Sequence, residues 1–406
     1  MRDLALYLFD DARARAWAPF ALTRPVGELL FGALHQRERA ERFWGTRCAG
    51  HLAGNALIGF QEPGAAPALD QGDLPDTGPV VLFSSRAVPL GWEAPAISEA
   101  TTLLMDGSVV GWFLPEGARL ISPDQLLSPD DARVGGRIEL EGRVMAEPWD
   151  LVAENHARLI LDLQHGFPDS TPPTLPPHVD VIGDGVLSVG ESVVIEPHVV
   201  FDTTAGGIRL DDGVTVNAFT RLSGPAYVGA GTILLGGSVS DVSIGAACKV
   251  RGEVTQTVVL GHTNKAHDGF IGHAYLGRWV NLGAGTTNSN LRNDYGTVRV
   301  TTPEGRIDTG LLKLGCLVGD HVKTGIGTML NTGAIVGAGS NVFGGVMPPS
   351  LVPPFSWGSG TDLTTYRLDK FLDVTERVFA RRGVELTDGM RALLSGSWDR
   401  SRPDRS

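Results

Sequence analysis

The stretch NKAHDGFIGHAYLGRWVNLGAGTTNSN, residues 264–290, concentrates side chains that can move protons and hold polar ligands. His267 and His273 carry imidazoles, whose ordinary pKa of about 6.5 lets the neutral ring accept a proton near physiological pH. Lys265, Arg251, Arg278 and Arg292 lie close by in sequence, and cations of this kind are what an anionic substrate requires. Asn281 and Asn290 each offer donors and an acceptor. A second group opens the chain in FDDARARAWAPFALTRP, where Asp10 and Asp11 precede Arg13, Arg15 and Arg24. Carboxylates there can ligate a divalent cation, and guanidinium groups can hold phosphate.

These side chains need a scaffold, and glycine is the first clue to it. The 406 residues include 53 Gly, nearly twice the ordinary share of about 7%. Without a collagen period, that excess points to many tight turns and short strands. From about residue 180 an aliphatic position recurs every six residues, at Val189, Ile195 and Phe201, then Leu210, Val216, Leu222, Val228 and Leu234. It returns at Ile244 and Val250, and again from Val318 through Thr324, Leu330, Val336 and Val342. Four residues after each stands a small or β-branched residue, such as Val214, Thr220, Ala226 or Thr328. A helix would show a period of about 3.6 and a lone strand a period of about 2. Period six is the hexapeptide repeat of a parallel β-helix, with three hexads to a coil and the aliphatic position inside. Leu276 and Leu282 keep the period within 264–290, whereas NKAHDGF and NSNLRND break it with polar residues. Loops that interrupt a rigid repeat tend to hold sites.

The rest divides by texture. Residues 1–147 mix strand-like runs (LALYLF, GPVVLFSS) with the helix-like GELLFGALHQRERAERFWG, as an α/β layered domain would. In that helix Leu29, Leu30, Ala33 and Leu34 form an apolar stripe and Arg37, Arg39 and Glu41 face solvent. Residues 148–178 hold a connecting helix, with Leu151, Val152, Ile160 and Leu163 apolar, and the proline-rich PDSTPPTLPPH. Residues 179–357 are the β-helix, and 358–406 a short helical segment with a frayed tail. The net charge of −12 argues against nucleic acid or an anionic membrane surface as partner. Cys48, Cys248 and Cys316 have no metal-type spacing, and no run reaches the roughly 18 apolar residues of a membrane span. A cytoplasmic location is the expectation.

The opening stretch also supports a resemblance. Lys265-Ala266-His267, Leu276-Gly277, Asn281-Leu282-Gly283-Ala284-Gly285-Thr286 and Asn290 resemble the acetyltransferase motif of the bifunctional family that makes UDP-N-acetylglucosamine. In that family a glucosamine-1-phosphate acetyltransferase is fused to an N-acetylglucosamine-1-phosphate uridylyltransferase. The interval from His267 to Asn281 equals the family's. FDDARARAWAPFALTRPVGELLFG is similar to a divergent sugar-nucleotidyltransferase domain found fused to such β-helices. The resemblance is strong over 180–345 and loose before that.

What the resemblance implies is specific. The β-helix is expected to be left-handed and the protein a homotrimer. Acetyl-CoA is the implied cosubstrate, sugar phosphates and nucleotides the substrates, and nucleotide-sugar supply for the cell envelope the role. His267 becomes the general base. Asn281 and Asn290 would hold sugar hydroxyls or orient the imidazole, and Ala284 with Gly285 would leave a shallow groove for coenzyme A. Lys265, Arg251, Arg278 and Arg292 would meet the sugar phosphate. Phe270 stands at a substrate-facing position where the family has an aromatic hydroxyl. Thr255 and the neighbourhood of Gly296 stand where it has lysines. In the N-terminal half Arg15 and Arg24 are the implied phosphate contacts. VVLFSSRAVPL keeps the family's strand and Val88-Pro89-Leu90, but Ser84, Ser85 and Arg86 replace its Mg²⁺-binding aspartate segment, leaving Asp10 or Asp11 as ligands.

Two other readings fit parts of the chain. A zinc carbonic anhydrase on the same prism needs three gathered histidines. His262 and His267 offer two, and His198 lies too far back to be the third. A non-catalytic nucleotide-sugar-binding or scaffold protein would keep the fold without turnover.

Overall fold

The computed structural model describes residues 4–70, 79–119, 121–167, 173–303 and 305–404. Residues 168–172 of the proline-rich run therefore lie outside the described residues. The N-terminal domain is built on a six-stranded sheet in the order Cys48–Leu52, Ala5–Phe9, Val80–Ser84, Ser108–Leu114, Thr101–Met105 and Gly136–Glu139. Its first three strands are parallel. They are almost uniformly buried, Val80–Ser84 along its whole length, as expected of parallel strands covered on both faces.

The helix expected from Gly27 onward starts later, at Gln36, and runs to Trp44. Leu30–Phe31 and Leu34–His35 form a tight hairpin instead. Gly32 takes a left-handed conformation there (φ 64°), and a Cβ on it would lie 2.1 Å from a carboxylate oxygen of Asp162. Arg37 and Arg39 are buried, contrary to the solvent-facing expectation. Arg39 donates to both oxygens of Asp162 at 2.8 and 2.9 Å and to the Phe31 carbonyl. Arg37 is held by Glu28 and Glu41. Asp162 lies on the connecting helix Asn155–His165, so this charge cluster fastens that helix to the hairpin.

A parallel β-solenoid follows, with three faces. Along the first, Val200–Asp202 pairs with Arg221–Ser223, and the stack continues through Ser238 and Glu253 to Phe270–Gly272. The second runs from Leu187–Val189 through Ile208–Leu210 to Tyr275–Arg278, Cys316–Val318 and Leu351–Val352. The third runs from Val194–Ile195 through Lys249–Val250 and Asn264–Lys265 to Lys323–Thr324 and Asn341–Val342. The inner column is the expected one: Phe201, Leu210, Val216, Leu222, Val228, Leu234, Ile244, Val250, Leu276, Leu282, Val318, Leu330, Val336 and Val342 form one buried cluster. Asp362–Thr365 pairs antiparallel with Ser356–Ser359 and extends the solenoid past residue 357. Of the tail expected to fray, residues 398–400 close the helix Asp388–Arg400, and the Trp398 indole donates to the Tyr366 carbonyl at 2.7 Å.

The two halves share a core. Trp17, Phe20, Leu30 and Phe31 pack with Val258, Tyr275, Leu317 and Ile335 on the outside of the second face. The Tyr275 hydroxyl accepts from the Leu30 N–H at 2.9 Å and donates to the Leu30 carbonyl at 3.0 Å. Arg24 lies in the same interface. It pairs bidentately with Glu62 at 3.0 and 2.8 Å and reaches Asp320 at 2.8 Å. Glu62 also meets Arg278, while Asp320 accepts from the Thr23 hydroxyl and the Arg278 N–H. Burial opposes ionisation of Glu62, but Arg24 and Arg278 outweigh it and hold the carboxyl below its ordinary range. Removing one partner of such a buried pair typically costs about 3–5 kcal/mol, because the remaining charges stay desolvated. Arg24→Met should therefore lose about that much stability, measured by urea unfolding. A loss below about 1 kcal/mol, the surface-pair range, would show the network to be dispensable.

Candidate functional site

The loop holding His267 is fixed from beneath. Lys265 follows the inner register of Val250, yet it is a lysine and only 3% exposed. Its ammonium group donates to the Arg251 carbonyl at 2.7 Å and to the His267 carbonyl at 2.9 Å. Burial pushes Lys265 down to about 8. Gly269 (φ 139°) brings the loop against the next coil, where a Cβ would lie 2.2 Å from the Thr286 carbonyl. Asp268 accepts the Gly285 N–H at 3.0 Å and pairs with Arg251 at 3.1 Å. The His267 side chain is exposed. An imidazole on a rigid backbone and open to solvent is available to an incoming proton donor.

Ala284 and Gly285 occupy the same corner one coil later. Gly285, Gly327 and Gly345 stack there in left-handed conformations (φ 72°, 72° and 65°), each lying over the next without a side chain between them. A shallow track thus passes His267, bordered by Ile326, which is 76% exposed.

At the other end of the strand Phe270–Gly272 stands His273, in a left-handed conformation (φ 51°). The Asn290 amide nitrogen lies 2.8 Å from His273 Nδ1. Asn290 therefore orients His273, not His267 as the resemblance had allowed. Burial, with Lys313 nearby, pushes His273 down to about 4. Phe270 folds back over Gly272, where a Cβ would come within 2.4 Å of the ring and 2.9 Å of the Asn290 amide. Asn288, which the sequence did not mark as important, is buried and bridges the stack. Its amide accepts from the Gly272 N–H and donates to the Gly272 carbonyl, both at 2.9 Å.

Beyond Asn290 the chain leaves the solenoid. Tyr275 pairs with Leu317, whereas Leu317 pairs in turn with Ile335; the intervening excursion contains the hairpin Arg299–Thr302 and Gly305–Asp308. It closes a cavity of about 460 Å³ lined by Arg292, Arg299, Arg306, Ser289, Asn331 and Thr332. Arg292 thus shares a concave surface with two arginines that sequence reading missed. Their signal was present, since both lie in the segment that breaks the hexad period. Arg292 is also ion-paired with Asp294.

Asn281 lies on the third face, where its amide oxygen accepts from the Asn264 amide at 2.9 Å. It stacks as a ladder asparagine, apart from Asn290. Arg278 is buried in the domain interface with Glu62.

In the N-terminal domain the edge of the parallel strands borders a cavity of about 520 Å³ lined by Asp11, Arg13, Ser84, Arg86, Asp106 and Asp130. Arg15 is exposed and donates to the Asp10 carbonyl at 2.9 Å. Arg24 is not beside it; the buried pairs with Glu62 and Asp320 correct the phosphate expectation for this residue. Asp10 and Asp11 do not fit a Mg²⁺ site. Asp10 is buried and accepts from the Ser85 hydroxyl at 2.5 Å and the Val26 N–H at 3.1 Å, and burial pushes its carboxyl up. Asp11 caps the helix Ala12–Arg15 through the Ala14 N–H and is clamped by the Arg86 guanidinium. Among the described residues no cluster of His, Cys, Asp and Glu is arranged to hold a metal ion.

The geometry assigns His273 a tautomer. Asn290 donates to Nδ1, so the ring proton sits on Nε2, and the lowered pKa keeps the ring neutral at pH 6. A ¹⁵N-edited NMR titration should show that state; a charged His273 at pH 6 would contradict the arrangement.

Residues 6–166 match the family model described as "Sugar nucleotidyl transferase". A bifunctional sugar-1-phosphate nucleotidylyltransferase/acetyltransferase of Sulfurisphaera tokodaii is 35% identical over 95 residues, covering 23% of this chain and 24% of that one. The bifunctional protein GlmU of a Nostoc species is 26% identical over 239 residues, covering 56% and 41%. The chain thus spans less than half the length of these curated relatives. Among solved structures, an Arabidopsis UDP-N-acetylglucosamine acyltransferase is similar at 11% identity and a TM-score of 0.24, covering 57% of this chain and 99% of that one.

Proposed function

We propose, taking the matched sugar nucleotidyl transferase domain and its attached solenoid as premise, that the solenoid transfers an acetyl group from acetyl-CoA to the amine of an amino-sugar phosphate such as glucosamine-1-phosphate. The observation that carries this reading is the exposed His267 on a loop locked by buried Lys265, beside the glycine track of Gly285 and Gly327. The amine nitrogen forms a bond to the thioester carbonyl carbon, the carbon–sulfur bond breaks, and the amine proton passes to His267. Lys265 acts as a positioning residue through the His267 carbonyl. Backbone N–H groups near Ala284 are the candidates for the tetrahedral oxyanion. The sugar phosphate is assigned to the arginine cavity of Arg292, Arg299 and Arg306, at the far end of the first face. A homotrimer and a cytoplasmic location belong to the same proposal.

Thiol release from acetyl-CoA with glucosamine-1-phosphate tests it. His267→Ala should lower turnover at least about a hundredfold, the lower end of what a general base contributes. Turnover indifferent to that substitution would remove His267 from the mechanism.

For the N-terminal domain the same reading assigns nucleotide-sugar formation. The engagement of Asp11 by Arg86 favours a second reading, in which this domain binds a nucleotide sugar without turning it over. No step through a metal follows from Asp10 or Asp11. Incubation with UTP, N-acetylglucosamine-1-phosphate and Mg²⁺ separates the two. Pyrophosphate release supports transfer. A rise in Tm with UDP-N-acetylglucosamine and no release supports binding.

A further inference from the structure

On the third face, away from the arginine cavity, the helix Leu368–Ala380 and the two residues after it lean over the strands and enclose a groove of about 570 Å³. Four cations line it. Lys249 and Lys323 come from the solenoid, Arg381 and Arg382 from the end of the helix, with Asn264 and Asn281 on the floor. None of the lining residues is acidic. The chain as a whole carries 46 acidic against 34 basic residues, so a surface that gathers four cations and no carboxylate runs against its composition. Arg24, Arg37, Arg39 and Arg86, by contrast, are each matched to a carboxylate. Among the described residues no ion pair joins any of the four groove cations.

Hydrogen bonds to carbonyls hold two of the four, Lys323 and Arg382, in place without neutralising them. The Lys323 ammonium donates to the carbonyls of Trp279 at 2.8 Å and His321 at 3.2 Å, which leaves a third N–H. Arg382 gives one N–H to the Ala247 carbonyl at 3.1 Å and keeps the rest of its fork. Burial pushes Lys323 down to about 8, a cost that a bound anion would offset. Two further polar atoms in the groove wall lack partners among the described residues. These are Nε1 of Trp279, a residue only 3% exposed, and Nδ1 of His262. The two rings lie tilted with centroids 4.1 Å apart, and Trp279 stacks in turn on Phe379 at 4.3 Å, so the wall is closely packed.

We infer that this groove is a binding site for a diphosphate-bearing small molecule, with Lys249, Lys323, Arg381 and Arg382 as its anion contacts. Cations spread over both walls suit adjacent phosphoryl groups, and arginine forks match phosphate oxygens bidentately. The inference does not depend on acetyl transfer at His267. Coenzyme A and a nucleoside diphosphate both carry the required group.

Calorimetric titration of the full chain with inorganic pyrophosphate tests the site. The wild type should bind, and R381A/R382A should bind at least about tenfold more weakly, the scale expected for losing a charge-assisted contact. Arg391→Ala, which removes a positive charge elsewhere on the helical segment where it pairs with Glu376, should bind as the wild type does. R381K/R382K keeps the charge but loses the fork, and should bind more weakly than the wild type and more tightly than R381A/R382A. Parallel titrations with coenzyme A and UDP identify the source, through whichever affinity falls in R381A/R382A. Failure of the wild type to bind pyrophosphate at millimolar concentration would overturn the inference. So would equal binding by R381A/R382A, or affinities for coenzyme A and UDP that are both unchanged in that variant.

Discussion

A buried ion network joins the two halves of this protein. Arg24, nearly inaccessible at 1% exposure, sits between Glu62 of its own domain and Asp320 of a solenoid corner. Charges this deep are tolerated only when each is paired and hydrogen-bonded, and here the Thr23 hydroxyl and the N–H and guanidinium of Arg278 complete the pairing. The consequence is geometric. The corner that carries Asp320 fixes the coil that follows Tyr275, and Tyr275 in turn is pinned to Leu30. The domains cannot slide without unpairing several desolvated groups together, so the solenoid face behind the His267 loop has a rigid support.

The solenoid treats its inside and its corners differently. Lys265 enters a mostly apolar inner column, and it holds the backbone of the residue proposed to take the proton. The corners repeatedly place non-glycine residues in left-handed conformations, among them His198, Phe219, His262, His273, Trp279 and His321. Such a conformation costs a non-glycine residue energy. Stacking along the axis offsets it: His198 lies over Phe219 at 5.7 Å and His262 over Trp279 at 4.1 Å. Aromatic corners also give the C-terminal helix a surface to pack on, through Phe371 and Phe379.

Much of this was legible in the sequence, for a physical reason. A six-residue period has one common structural cause, and nearly every position it selected is in the inner column. The interruptions of the period marked the two loops at the candidate site. The errors came where local pattern and tertiary pairing disagree. Leu29, Leu30, Ala33 and Leu34 have helical spacing, yet Gly32 bends the chain into a hairpin whose tip receives Asp162, more than a hundred residues away. Arg24 read as a phosphate contact and Arg39 as a surface cation because nothing local announces a distant carboxylate. Asn281 and Asn290 looked alike in sequence, but the coil places them on different faces, one in a ladder with Asn264 and the other against His273.

The excursion after Asn290 begins and ends at one place. Leu314 donates to the Asn290 carbonyl at 3.0 Å, and Leu291 bridges Lys313, so the segment is closed at its neck. Val298 and Val300 anchor its base in the shared core, while Arg299 and Arg306 face the cavity. Below the neck, the Asn288 amide stands in for a missing rung. The stack therefore resumes directly beyond the excursion. A chain built this way can change the length and charge of the arginine-bearing tip over evolutionary time while leaving the His267 loop untouched. On the proposed function, substrate preference and proton transfer then become separable traits, carried by two parts of one coil.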